Sequence, residues 1–385
     1  MKSDALREVR VAGTGLIPFG KFPDKTLAEI AWPAVREAVL EAGVKPKEIG
    51  GVFCGTALGG MLAGQRIMKS LGISGMPIIN VENACSSSSS ALSLGWLSVA
   101  SGQHDVVVVV GAEKLTKFGG GTLPLEREDW EVNQGMVMPA LYAMRARRYM
   151  HEYELTETQL AEVAVKAHEH GALNPNAQIR KRVSLEEVMA ARPVTEPFTL
   201  WHCCPTGDGA AAVVLTSAEV ARRLGADKTV RIAASEVTSG IYTDHFRDMT
   251  WPELTARGAQ GAFEMAGIGP DDVDVAEIHD AFTIAELMYY EAFGFCGRGG
   301  AYALMKSGAT SLGGTIPVNP SGGLLSRGHP IGATGVAQAV EVTRQLEGRA
   351  GAHQVEGARI GLTHATGGGI AGLDHGACSI HVFAR

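Results

Sequence analysis

Apolar residues recur along the chain at two spacings, and their alternation predicts most of its elements. Residues 9–16 (VRVAGTGL) have strand character, and Leu27, Ile30, Ala31, Ala34 and Ala38 then repeat at helical spacing until Gly43 supplies a left-handed stop. The segment VKPKEI leads from there into a strand over 51–55. The same order returns far downstream. A strand over 230–237 precedes a helix from about residue 251 to 266, Gly267 closes it, and IGPDDV leads into a strand over 273–279. Gly43 matches Gly267 and Pro46 matches Pro270, so the two halves read as copies of one unit.

Each half continues in parallel. In the first, residues 76–82 end in Asn83-Ala84-Cys85 and a helix follows through residue 100. The run 105–113, rich in valine, reads as a strand covered on both faces. In the second, Gly328-His329-Pro330 opens a helix through Leu346, and a strand over 358–364 follows. Closing strands fall at 210–216 and 377–383. Strands alternating with helices predict an α/β layered fold, with an N-terminal half over 1–229 and a C-terminal half over 230–385. Residues from about 115 to 206 interrupt only the first half, with helices near 139–151 and 156–174 and a loop rich in Pro and Arg. An insertion this long reads as a functional cap where a large ligand binds.

Composition narrows the function classes. A formal charge of −7 spread over 385 residues gives no basic face for nucleic acid. No apolar run approaches the roughly 20 residues a membrane span needs. The six cysteines lack Cys-x-x-Cys spacing and no secretory signal is recognised, which predicts reduced thiols in the cytoplasm. Adjacent Cys203 and Cys204 chelate one tetrahedral ion poorly, so no metal is expected. The basic run Arg180-Lys181-Arg182 follows His168, His170 and Asn174; it reads as a phosphate contact or as a solvated loop.

Cys85 carries the strongest chemical signal. A thiol at a helix N-terminus faces unpaired backbone N–H groups and the positive end of the helix dipole, both of which favour the thiolate; the competing reading is a small buried cysteine. If the halves pair about a pseudo-two-fold axis, Cys85 meets His329, which predicts a lowered thiol pKa and an imidazole that relays the proton. The competing reading of His329 is a capping residue. His279, at a strand's carboxyl end, reads as a donor to a developing oxyanion or as a structural histidine. The run Gly367-Gly368-Gly369 after His364 either exposes backbone N–H groups or forms a turn.

Together these segments resemble the thiolase superfamily, in its sterol-carrier-protein branch, over nearly the whole chain. The resemblance rests on Asn83-Ala84-Cys85-Ser86-Ser87, Asp208-Gly209-Ala210-Ala211, His279-Asp280-Ala281-Phe282, Asn319-Pro320-Ser321-Gly322-Gly323 and the eight residues from Gly328 to Gly335. It implies a five-layered αβαβα fold with an inserted cap, a homodimer core, and coenzyme A as co-substrate with no tightly bound cofactor. It further implies Cys85 as acyl-accepting nucleophile, His329 as its activator, and His279 and Gly367, Gly368 and Gly369 as oxyanion donors. His168, Asn174, Arg180 and Ser321 would contact coenzyme A. Bacterial members also imply a small OB-fold, zinc-ribbon accessory subunit that carries its own zinc.

One position departs from the pattern. Members of this branch place a second cysteine in His-Asp-Cys-Phe, where it moves the C2 proton; here that position is Ala281, and the other family position before the glycine run is His364-Ala365-Thr366. A histidine, a water, Cys203, Cys204 or Cys378 is left to substitute. The gap favours a branched or aromatic 3-oxoacyl-CoA, such as benzoylsuccinyl-CoA cleaved to benzoyl-CoA and succinyl-CoA. Competing expectations are a retro-aldolase acting on a branched, steroid-like 3-hydroxyacyl-CoA, a condensing synthase and a non-catalytic acyl-CoA-binding scaffold.

Overall fold

The computed structural model describes residues 6–225, 229–244 and 246–385. Its strands are β1 (Val9–Leu16), β2 (Gly51–Gly55), β3 (Ile78–Val81), β4 (Val106–Lys114), β5 (Pro193–Thr195), β6 (Phe198–Thr199), β7 (Asp208–Ser217), β8 (Arg231–Ser239), β9 (Val275–Glu277), β10 (Ile360–Gly367) and β11 (Ala377–Ala384). β5 and β6 form a separate hairpin, and the rest join in the order β3-β2-β4-β7-β1-β8-β11-β10-β9. Read outward from the β1–β8 seam, the order β7-β4-β2 on one side is answered by β11-β10-β9 on the other. The seam itself is thin: Arg10 pairs with Arg231, and the Val11 N–H donates to the Val230 carbonyl at 2.9 Å. Even β3 has a counterpart, a parallel bridge from Val318 to Ala276.

Helices sort into three layers around these strands. Leu27–Ala42 buries Ile30, Ala31, Ala34, Val35 and Ala38 against β1, β4 and β7, begins with a Thr26–Glu29 capping box, and stops at Gly43 with φ 66°. Glu253–Ala266 covers β8 and β11 and stops at Gly267 with φ 71°. Between the sheet halves, Ser87–Ala100 and Thr334–Leu346 pack on each other, completing an αβαβα sandwich. Ser87–Ala100 keeps Leu94 and Leu97 exposed, whereas Thr334–Leu346 is buried along nearly its whole length. Thr334–Leu346 is so deep that its polar groups need partners: Gln338 Nε2 donates to the His364 carbonyl at 3.0 Å, and Glu341 Oε2 meets His353 Nε2 at 3.1 Å. The five valines of β4 from Val106 to Val110 are likewise buried on both faces.

One expectation shifts. The helix expected to open at Gly328 begins at Thr334, because Gly328 adopts φ 106° and the chain turns through Pro330, whose carbonyl accepts the N–H groups of Ala333 and Thr334 at 2.8 and 3.1 Å. His329 therefore sits in a buried loop ahead of the helix. The insertion contributes the helices Met138–Tyr153 and Glu157–Gly171, which fold onto the second half. Buried ion pairs fasten them there, Arg145 with Asp374 and Lys166 with Glu286. Among the described residues, no helix is long and apolar enough to cross a membrane.

The inner helices approach too closely for side chains at their crossing. A Cβ on Gly335 would lie 2.6 Å from the Ser89 backbone nitrogen. Gly335→Ala is expected to destabilise the fold by about 1–3 kcal/mol through overpacking, read as a lowered urea midpoint; an unchanged midpoint would contradict this packing.

Candidate active site

Cys85 lies in a single 3₁₀ turn, Ala84–Ser86, immediately before the helix Ser87–Ala100. The turn is tight because Ala84 takes φ 48°, a left-handed conformation costly for a residue with a Cβ. Its neighbours hold it there. Glu82 accepts the Ala84 N–H at 2.6 Å, Ser87 Oγ donates to the Ala84 carbonyl at 2.6 Å, and Asn83 Nδ2 donates to Ser90 Oγ at 2.9 Å. Ser86 Oγ lies 2.8 Å from Ser379 Oγ, which ties the turn to β11. The serine run thus builds the turn that presents the thiol.

The opposite half supplies the rest. The Cys85 sulfur and one ring nitrogen each of His279 and His329 lie within 4.8 Å of one another. Thr334 Oγ1 donates to the Pro330 carbonyl at 3.1 Å and so accepts from His329 Nδ1 at 2.7 Å. That fixes the tautomer: the other nitrogen, Nε2, is buried without a hydrogen-bond partner and presents its lone pair. His279 stands edge-on to His329, ring centroids 5.0 Å apart. Its backbone N–H donates to His364 Nδ1 at 3.3 Å, and Asn319 Oδ1 accepts the neighbouring Ile278 N–H at 2.8 Å. The backbone N–H of Gly368 points at the Cys85 sulfur. Gly367 is required beside it, because a Cβ there would lie 2.0 Å from the Asn83 carbonyl oxygen.

These groups open onto a cavity of about 400 Å³ roofed by the cap through Leu123, Met138, Tyr142 and Leu200. Burial of its walls changes the expected charge state. Burial, with the nearby Glu113 charge, pushes the Cys85 thiol up to about 12, against the pull of the Gly368 N–H. Burial and then the Arg327 charge bring His329 down to about 3, and burial followed by His329 holds His279 well below the usual histidine range. The expectation of a preformed thiolate is therefore corrected. A low-dielectric site disfavours both ions of the pair, so the resting state is neutral thiol and neutral imidazole.

The structure does not bring the four residues expected to contact coenzyme A into this cavity. Asn174 and Ser321 are fully buried and joined to each other, Asn174 Nδ2 donating to the Ser321 carbonyl at 3.0 Å, while Ser321 Oγ donates to Glu277 Oε2 at 2.7 Å. His168 is fully buried against the edge of Trp201. With no surface to offer, these three are corrected to framework residues that hold the β9 end and the cap. Arg180 is exposed on the cap loop. Of the glycines, Gly368 lines the cavity and Gly369 faces a smaller cleft beside Leu141. Two substitutes for the absent cysteine also drop out. Cys378 is buried outside the cavity lining, and His364 spends both ring nitrogens on His279 N–H and Thr255 Oγ1. Sequence reasoning missed Tyr142, Thr334 and His375. Tyr142 lies within the helical pattern of the cap with nothing local to mark it, while Asp374-His375, a few residues beyond the glycine run, was a visible signal.

A half-buried thiol, a tautomer-fixed imidazole acceptor, a second imidazole and a backbone N–H around one cavity are the groups that acyl transfer through a cysteine requires. The thiolase N-terminal domain matches residues 9–219 and the thiolase C-terminal domain-like family matches 235–374. The chain belongs to the thiolase family and is an acyltransferase. It is 41% identical to an acetyl-CoA acetyltransferase of Methanothermobacter thermautotrophicus over 99% of this chain and 100% of that protein. It is 40% identical to the benzoylsuccinyl-CoA thiolase subunit BbsB of Thauera aromatica over 94% and 95%. The solved Ltp2-ChsH2(DUF35) aldolase superposes with a TM-score of 0.83 at 26% identity, over 98% of each chain.

Two outcomes test the electrostatics. Alkylation of Cys85 by uncharged iodoacetamide should climb steadily from pH 7 to 10, because the thiolate fraction keeps rising below a pKa near 12; a plateau reached below pH 8 would show a preformed thiolate. Thr334→Val frees the His329 tautomer and should lower kcat about tenfold or more at nearly constant KM, whereas an unchanged kcat would remove Thr334 from the site.

Proposed function

We propose that the protein cleaves a 3-oxoacyl-CoA with coenzyme A through a Cys85 acyl-enzyme. The convergence of the Cys85 sulfur with His329 and His279 within 4.8 Å is the observation that carries this reading. His329 Nε2 takes the thiol proton as sulfur bonds to the substrate's C3, whose oxygen meets the Gly368 N–H. The C2–C3 bond then breaks with its electron pair moving to C2, and the enolate oxygen is held by His279. Protonation of C2 releases one acyl-CoA. Coenzyme A then attacks the sulfur-bound acyl group, and His329 returns its proton to Cys85. Splitting the reaction at a covalent intermediate replaces one difficult step by two easier ones. Because the pair is neutral at rest, proton transfer accompanies attack.

The substrate we propose is bulky, branched or aromatic. Leu123, Met138, Leu200, Phe282 and Ile331 give an apolar lining to a cavity of about 400 Å³, much more than an acetyl group fills, with Tyr142 and Phe282 stacked at 4.5 Å along one side and Phe198 behind Phe282 at 5.7 Å. Arg192 lines the cavity and offers a positive charge to a carboxylate-bearing tail such as that of benzoylsuccinyl-CoA. Arg180 on the cap loop is the proposed contact for a coenzyme A phosphate. A homodimer core with a small OB-fold, zinc-ribbon accessory subunit completes the assembly. Its support is that BbsB is one subunit of its thiolase and that the Ltp2 aldolase pairs with ChsH2(DUF35). A cytoplasmic setting would keep the six free cysteines reduced.

Specific activity towards benzoylsuccinyl-CoA and acetoacetyl-CoA, with and without such a subunit, tests the substrate. The expected outcome favours the aryl substrate; a clear preference for acetoacetyl-CoA contradicts it. The likeness to the aldolase also supports a second reading, retro-aldol cleavage of a branched 3-hydroxyacyl-CoA, which needs no thiol. Cys85→Ala separates the two. Thiolytic cleavage falls by roughly 10³-fold or more if Cys85 is the nucleophile, while an aldolase keeps its rate.

A further inference from the structure

We propose that the Tyr142 hydroxyl, held by His375, is the group that moves the C2 proton in place of the cysteine absent at Ala281. The proposal rests on the thiolase reading above and assigns a step that reading leaves without a residue.

Tyr142 and His375 both line the cavity that holds Cys85, and the Tyr142 oxygen lies 2.8 Å from His375 Nε2. Behind the pair stands a chain of buried groups that the acyl-transfer chemistry does not otherwise use. His375 Nδ1 lies 3.4 Å from Asp374 Oδ1, Asp374 is paired with Arg145, and the Arg145 guanidinium stands 5.6 Å from the Tyr142 ring centre. Tyr289 hydrogen-bonds Tyr142, and its oxygen is 3.2 Å from that of Thr366, in the segment His364-Ala365-Thr366 where other members place a cysteine. Each of Tyr142, Arg145, Asp374 and His375 is at most 5% exposed. A buried ion pair kept at the wall of a reaction cavity is costly unless it orients or charges something.

An acid that works in two half-reactions must carry its changed charge between them, and Tyr142 and Cys204 differ here. Cys204 also lines the cavity, its N–H donating to the Ala281 carbonyl at 3.0 Å, but burial and then the charge on Cys203 hold its thiol well above the usual range. Tyr142 is likewise pushed up, to about 12, by burial, yet the Arg145 charge and the Tyr289 hydrogen bond oppose that push. Although burial works against it, Arg145 and then His375 keep Asp374 ionised far below the usual carboxylate range, so a fixed charge anchors the chain. The step balances. As C2–C3 breaks, the enolate carbon takes the Tyr142 proton and the phenolate is left between His375, Tyr289 and the field of Arg145. The incoming coenzyme A thiol then gives its proton to that oxygen as its sulfur attacks the acyl carbon, which restores the phenol.

The test reads C2 directly. The purified protein is incubated in D₂O with the acyl-CoA product whose C2 is protonated during cleavage, and deuterium at C2 is followed by mass spectrometry; Cys85 alkylation by iodoacetamide is measured in parallel. Tyr142→Phe should lower C2 exchange by about 10²- to 10⁴-fold while alkylation stays within about threefold, since a general loss of structure would move both. His375→Gln should give an intermediate loss. Exchange that survives Tyr142→Phe, or that is lost in Cys204→Ser instead, overturns the assignment. If the unmodified protein neither acylates Cys85 nor cleaves a 3-oxoacyl-CoA, the thiolase reading itself has failed, a result independent of how Tyr142→Phe behaves.

Discussion

Everything at the centre of this molecule depends on how closely its two halves approach across the β1–β8 seam. Hydrogen bonding at the seam is sparse, so burial holds the halves together: the inner helices Ser87–Ala100 and Thr334–Leu346 have sheet on both sides. The approach is close enough that Gly335 meets the Ser89 backbone and Gly367 meets the Asn83 carbonyl with no room for a Cβ. A side chain at either point would push the Cys85 turn away from His329 and Gly368. Packing at the two-fold therefore sets reactive geometry as well as stability.

The same packing sets the electrostatics. A site assembled between two layers takes its groups partly out of solvent, and that desolvation raises the thiol while lowering both histidines. The helix dipole and a neighbouring imidazole are visible in the sequence, but desolvation, the largest influence on all three groups, is a property of the folded chain. A neutral pair suits an enzyme whose sulfur must stay inert until a thioester enters the cavity and brings its carbonyl carbon within reach.

Legibility from sequence followed locality. The glycine stops at Gly43 and Gly267, the proline turns at Pro46 and Pro270 and the all-valine stretch of β4 are local signals, and the structure reproduces them. The meeting of Cys85, His279 and His329 was legible because duplication implies symmetry and symmetry places corresponding loops together. What stayed hidden was long-range. Asn174 and Ser321 are polar and lie in recognisable motifs, yet each is consumed by partners more than 40 positions away. The Tyr142–His375 contact spans 233 positions and crosses from the cap to the second half, where no periodicity points. The early start expected for the helix after Gly328 failed for a backbone reason, since glycine and proline there favour a turn.

The central claim is a covalent one, that the sulfur of Cys85 receives an acyl group from carbon. Intact-protein mass spectrometry after rapid mixing with a 3-oxoacyl-CoA, with coenzyme A left out, tests it most directly. The account predicts a stoichiometric mass gain equal to the acyl fragment, located by digestion to the peptide carrying Cys85 and discharged when coenzyme A is added. Turnover that proceeds with no such adduct, or with the adduct on another residue, would contradict it.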